Sequence, residues 1–223
     1  MRVNVPAGLE TNDAAAIQAM ALSLFVHRRS TAEHTSRVAG YVRILAEGLG
    51  FGEDDVAVFE AAAVLHDLGK IAVPDEVLNK PSSLTPAERR VIRRHSAIGA
   101  EMVGAVDAFA QIATMVRHHH ERMDGTGYPD GLHGDAIPLG SRLIAIADTF
   151  DAITSDRPYR LARSADAALA ELEAAADSQL DGAFVARFIA LARHGFIRVT
   201  DSRDAATYAN AARIFAAFGI PRS

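Results

Sequence analysis

Apolar residues in this 223-residue chain recur at helical spacing almost throughout, and no segment sustains period-two alternation. That rhythm requires helices packed on helices, so an all-α fold is expected. Start and stop signals divide it. Asn12 or Asp13 would cap a first helix reaching about Arg28. Ser30-Thr31-Ala32-Glu33 reads as a capping box, opening a helix that Gly50 would end. A third helix is expected over 53–68, stopping at Gly69. Thr85-Pro86-Ala87-Glu88 reads as a second box, with proline where its missing N–H costs nothing. Further helices are expected over 86–104, 107–119, 141–155, 164–177, 182–194 and 202–218; the best strand candidate, residues 196–200, is short and isolated.

Two stretches break the rhythm. Residues 71–84 link helices and hold two prolines, while residues 121–140 hold five glycines and two prolines, too many for a regular element. A loop of that length inside a compact domain is more often functional than accidental. No repeat or composition break splits the chain. The expected organisation is one helical domain over 30–195 with helical extensions at 1–29 and 196–223.

Composition narrows the function classes. An apolar share of 49% supports a real core, yet the best apolar run, residues 19–26, falls far short of the ~20 residues a bilayer span needs. No signal-peptide arrangement opens the chain, so a cytoplasmic protein without membrane contact is expected. The absence of cysteine removes disulfides and zinc–thiolate sites together. A net charge of −5 argues against binding a DNA or RNA polymer, but leaves room for a small phosphate ligand held by a few arginines or a metal.

Nine histidines, several beside aspartates in apolar segments, carry the chemistry. His34 shares a stripe with Val38, Tyr41 and Leu45, where a core histidine satisfied by one carbonyl is the plain alternative. His66-Asp67 closes the apolar run 61–65 just before Gly69-Lys70, where an aspartate needs a cation or several donors; a helix-end pair with Lys70 would also serve. His95 follows Arg89-Arg90 and Arg93-Arg94 and by itself reads as a surface residue. His119-His120 end an apolar helix at the mouth of the glycine-rich loop. Asp148 sits within Leu143-Ile144-Ala145-Ile146-Ala147, with Asp151 one turn along the same face. Each has a mundane reading alone. Together, four or five helices would each bury an Asp or His, which is costly unless they converge on one site. Nitrogen and oxygen ligands without thiolate point to iron, manganese or a similar divalent metal, and to hydrolysis of a phosphate ester.

Taken in order, His34-Thr35, His66-Asp67-Leu68-Gly69-Lys70, His95, His119-His120-Glu121-Arg122 with Asp124-Gly125-Thr126-Gly127-Tyr128-Pro129, and Asp148 with Asp156-Arg157-Pro158-Tyr159-Arg160 resemble an HD-GYP domain, the bacterial branch of the HD phosphohydrolases. The resemblance covers about 30–190 and implies an all-helical phosphodiesterase that opens cyclic di-GMP to the linear dinucleotide pGpG, and onward to GMP in some cases. It implies two divalent metal ions, iron or manganese. One would take His34, His66, Asp67 and Asp148; the other would share Asp67 and take His95, His119 and His120. Lys70 would contact the scissile phosphate, and Tyr128, Arg157 and Arg160 would hold the nucleotide. Some members of that family carry a glutamate four residues before the first metal histidine, where it supports a third metal. Ser30 stands there, so two metals are expected. His118, His27, His133 and His194 have no motif role, although His118 remains a candidate for outer support of the ligands.

Two alternatives stay open: an HD phosphohydrolase for another cyclic dinucleotide or nucleotide, and a non-catalytic sensor whose Tyr128 loop meets a diguanylate cyclase. Intact His66, Asp67 and Lys70 argue against the sensor. The helix at 13–27, with Ile17, Met20 and Leu24 along one side, would support a homodimer, continue an upstream signalling helix, or cover its own domain. No receiver or sensory domain fits before His34, so the chain reads either as a stand-alone effector or as part of a longer regulator.

Overall fold

The computed structural model describes residues 19–20, 29–156 and 161–199, with side chains described from Glu33 onward in the first long helix. Every regular element among them is helical. Helix α1 (Arg29–Gly48) packs against α2 (Glu53–Leu65) and α7 (Leu139–Thr154). A 3₁₀ turn (Leu68–Ala72) and the short α3 (Asp75–Leu78) lead to α4 (Pro86–Arg93), α5 (His95–Val103) and α6 (Ala110–His118). Helices α8 (Ala165–Ala174) and α9 (Gly182–Arg193) close the bundle. No helix among the described residues is long and apolar enough to cross a membrane.

Local chemistry accounts for several boundaries. Gly50 adopts φ +88°, the left-handed conformation that ends α1 at little cost for a residue without a Cβ. Thr85 forms the expected box: its hydroxyl accepts from the Glu88 N–H at 3.2 Å, and Glu88 accepts from the Thr85 N–H at 2.7 Å. Asp181 caps α9 by accepting from the amides of Ala183 and Phe184. The core runs along the stripe anticipated on α1, with Val38 and Leu45 fully buried. Tyr41, Phe150 and Phe188 meet edge to face where α1, α7 and α9 converge, with Tyr41–Phe150 and Phe150–Phe188 centroids 5.3 and 5.1 Å apart. Such pairs add about 0.5–1.5 kcal/mol each beyond the area they bury.

Three expectations need correction. The first long helix is already under way at Ser30, so Ser30-Thr31-Ala32-Glu33 lies inside it rather than capping it. The helix expected over 53–68 ends at Leu65, because the chain must turn there to pass Gly69 against α5. A Cβ on Gly69 would sit 2.0 Å from the His95 carbonyl oxygen and 2.5 Å from the Gly99 nitrogen. The helix expected over 86–104 breaks at Arg94, whose N–H turns back to the Val91 carbonyl at 3.3 Å. Residues 196–199 form no strand, in keeping with the all-α expectation, and Ile197 packs into the core, 5% exposed. The helices expected at 13–28 and 202–218 lie outside the described residues, apart from 19–20, which are helical.

Candidate metal centre

Five segments deliver the candidate ligands to one place. His34 comes from the second turn of α1, His66 and Asp67 from the turn after α2, and His95 from the first residue of α5. His119 and His120 follow the end of α6, and Asp148 comes from α7. Among the described residues, four groups of three have ligand atoms within 4.8 Å of one another: His34, His66 and Asp148; His95, His119 and His120; His66, Asp67 and His119, which joins the first two; and His118, Glu121 and Asp130 in the loop. Asp67 stands between them. One carboxylate oxygen lies 3.5 Å from His95 Nε2, and the other lies 3.5 Å from His66 Nε2 and 3.7 Å from His34 Nε2. Asp148 is 3.4 Å from His34 Nε2. Lys70 reaches Asp67 at 2.6 Å.

Hydrogen bonding fixes which ring nitrogens face the cluster. Nδ1 of His66, His95 and His119 lies 2.7 Å from the carbonyl oxygens of Ala63, Ile92 and Val116 respectively. A carbonyl only accepts, so each Nδ1 carries the proton and each Nε2 presents a lone pair, the form a metal requires. His66 Nε2 is buried and has no hydrogen-bond partner. Burying an imidazole nitrogen without a partner is costly, and a cation at that position would satisfy it. The donor set therefore fits divalent metal ions bound through nitrogen and oxygen.

The electrostatics agree. Burial holds the pKa of His95 below its ordinary value and that of His119 far below, and lowers His120 to about 3, keeping all three neutral. Burial opposes ionisation of Asp67, but the adjacent Lys70 ammonium, first among its neighbours, overcomes it and holds the carboxyl well below the usual range. Asp148 is likewise kept ionised against its burial, chiefly by His34. Ionised Asp67 and Asp148 thus stand beside the neutral imidazoles of His95, His119 and His120.

A cavity of about 350 Å³ opens beside the cluster, lined in part by Arg93, His120, Arg122, Tyr128, Asp148 and Gln179. That volume suits a nucleotide-sized ligand. The glycine-rich loop forms its wall. Gly127 lies so close to residues 120–122 that a Cβ would come within 2.5 Å of the Arg122 nitrogen. Tyr128 packs its ring 4.8 Å from that of His120, beneath the Arg93 guanidinium at 4.9 Å; its peptide bond to Pro129 is cis. Burial pushes the Tyr128 phenol up, so it stays protonated. Glu121 ties the loop together, accepting from the amides of Asp130 at 2.7 Å and Gly131 at 3.0 Å.

All seven expected metal ligands fall within this cluster, and Lys70 and Tyr128 border it. Arg157 and Arg160 lie outside the described residues, as does the Ser30 side chain. His95 is buried at 1% exposure, correcting its surface reading: the break at Arg94 turns it inward. His118 stands apart, pairing with Asp130 at 2.8 Å alongside Arg117, and so braces the loop. Sequence reasoning gave no role to Arg93, Arg122, Gln179 or Glu121. Arg93 and Gln179 show no local signal, since the wall forms only when the loop folds back, and Arg122 lies inside the histidine motif without a role read for it. Glu121 lies inside the histidine motif, but its amide partners lie nine and ten residues ahead.

A helical bundle that gathers histidines and aspartates around Asp67 defines a candidate metal-dependent hydrolase centre. The HD domain family profile matches residues 18–184, and the chain belongs to that family. Among its relatives, the cyclic di-GMP phosphodiesterase response regulator RpfG of Xanthomonas campestris pv. campestris is 53% identical over 144 residues, covering 64% of this chain and 37% of that protein. The 3'3'-cGAMP-specific phosphodiesterase 3 of Vibrio cholerae is 43% identical over 143 residues, covering 64% and 31%. Bd1817, an HDG"Y"P protein from Bdellovibrio bacteriovorus, shares the fold with a TM-score of 0.61 at 21% identity, over 78% of this chain and 57% of that one. The chain spans about a third of the length of the two curated relatives.

Proposed function

We propose that this chain is an HD-GYP-type, metal-dependent phosphodiesterase that opens cyclic di-GMP to linear pGpG. The observation that carries the reading is Asp67 standing between two triads, His34/His66/Asp148 and His95/His119/His120, beside the cavity walled by Tyr128. Each triad, with a share of Asp67, would hold one divalent cation, iron or manganese. When bound, the cations supply Lewis-acid charge that acidifies water and neutralises phosphate oxygens.

The chain's own side chains do the rest. Lys70, 2.6 Å from Asp67 and part-exposed, sets a fixed positive charge where negative charge gathers on the phosphate. Tyr128 and Arg93 border the cavity and would position the nucleotide, joined by Arg157 and Arg160. Asp67, His66, His95 and His119 are buried, so charges beside them act with less screening than at an open surface.

The test is turnover of cyclic di-GMP and 3'3'-cGAMP by protein loaded anaerobically with iron or manganese, with products resolved by chromatography. Conversion of cyclic di-GMP to pGpG supports the reading. Preferential cleavage of 3'3'-cGAMP, the substrate named for the Vibrio cholerae relative, would move the protein to that substrate. Loaded protein that binds cyclic di-GMP without cleaving it would make the chain a sensor.

A further inference from the structure

The candidate ligand histidines are not held alike. His66, His95 and His119 each give their Nδ1 proton to a carbonyl three residues back. Those carbonyls, of Ala63, Ile92 and Val116, belong to the last turns of α2, α4 and α6, where intrahelical partners run out. His34 has no such local option. It sits within α1, and the carbonyl three residues back, at Thr31, is inside the same continuous helix.

Its Nδ1 instead lies 2.7 Å from Asp151 Oδ2, a contact across 117 residues of sequence. Asp151 is 1% exposed, and Arg37, one turn along α1, grips both of its oxygens at 2.5 and 3.0 Å. The same guanidinium donates to Ser155 at 3.0 Å, fastening α1 to the end of α7. A planar guanidinium suits such a two-oxygen grip, which fixes the carboxylate's orientation as well as its charge.

The geometry points to Asp151, clamped by Arg37, as the positioning residue of His34: it holds the ring with Nε2 toward Asp67 and Asp148 and makes the His34/His66/Asp148 triad the tighter of the two cation sites. An ionised acceptor raises the basicity of a ligand imidazole more than a neutral carbonyl does. The charge count runs the same way. This triad contains the carboxylate of Asp148, whereas the His95/His119/His120 triad offers three imidazoles; both share Asp67, whose Oδ2 toward His34 and His66 also accepts from Lys70, and Arg37 balances the charge of Asp151. The inference rests on the two-cation reading of the centre but not on the identity of the substrate.

The test uses manganese alone, without nucleotide. Calorimetric titration of the metal-free protein should resolve two unequal sites. Asp151→Asn should weaken one site by about 10–100-fold and leave the other within about twofold. Nitrogen-15 correlation spectra of the metal-free wild type should show a proton on His34 Nδ1. That measurement needs no variant and stands even if Asp151→Asn fails to fold. A proton confined to His34 Nε2, two sites weakened equally, or neither weakened would overturn the assignment. A wild type that binds no manganese would overturn the two-cation reading and this assignment together.

Discussion

Asp67 is the residue on which the centre turns, because its two oxygens face different triads. Asp67→Ala should lower both metal retention and hydrolysis by more than 100-fold, beyond the 10–100-fold typical of losing an outer partner. Metal per chain by mass spectrometry and the product assay check this, and full activity in the variant would refute the site. Two residues away, Gly69 sets how closely the turn can approach α5. Both nearby obstacles to a Cβ are backbone atoms, which no rotamer change can move. Gly69→Ala should therefore destabilise the fold by about 1–3 kcal/mol or more in urea denaturation. An unchanged midpoint would show that the turn yields. The sequence made Asp67 legible through its company, an acid closing an apolar run beside a histidine. It could not make the role of Gly69 legible, since the clash is with a residue twenty-six positions on.

Among the elements, α4 and the glycine-rich loop show what local sequence encodes and what it does not. The box at Thr85 is local, four consecutive residues, and it forms as read. Hydrogen bonds from Lys80, joined by those from Thr85, lower the Glu88 pKa from 4.5 to about 2. A depressed folded pKa means the ionised cap contributes in full above pH 4.5 and is lost as pH falls toward 2. Protection of the Thr85 amide, which donates to the Glu88 carboxylate, should fall over that window relative to intrinsic exchange at each pH; a flat protection profile would show that the cap carries no ionic component. The break at Arg94 was not legible, because the helical rhythm runs straight through it. What interrupts the helix is the tertiary demand that His95 face Asp67. The loop is the reverse case, irregular in sequence yet held by specific bonds. Glu121→Ala would leave the amides of Asp130 and Gly131 without their acceptor. We expect KM to rise about tenfold, equivalent to ~1.4 kcal/mol of lost loop order, with kcat changed far less. A fall in kcat at constant KM would instead place Glu121 in the chemistry.

For the whole molecule, the helical rhythm, the core stripe on α1 and the convergence of seven ligand-type side chains follow from patterning and from the cost of burying charge. The cavity wall does not, because Arg93, Arg122 and Gln179 meet only after α4, the loop and the turn before α9 fold together. On the proposed reading, a chain of net charge −5 would build a site for an anion by placing Arg93 and Arg122 around its cavity and the candidate metal ligands beside it. The central claim is that two cations share Asp67. Crystals grown with manganese and measured for anomalous scattering test it most directly. Two peaks of comparable height, one beside His34, His66 and Asp148 and one beside His95, His119 and His120, are predicted. A single peak, a third of equal height, or none against Asp67 would contradict it.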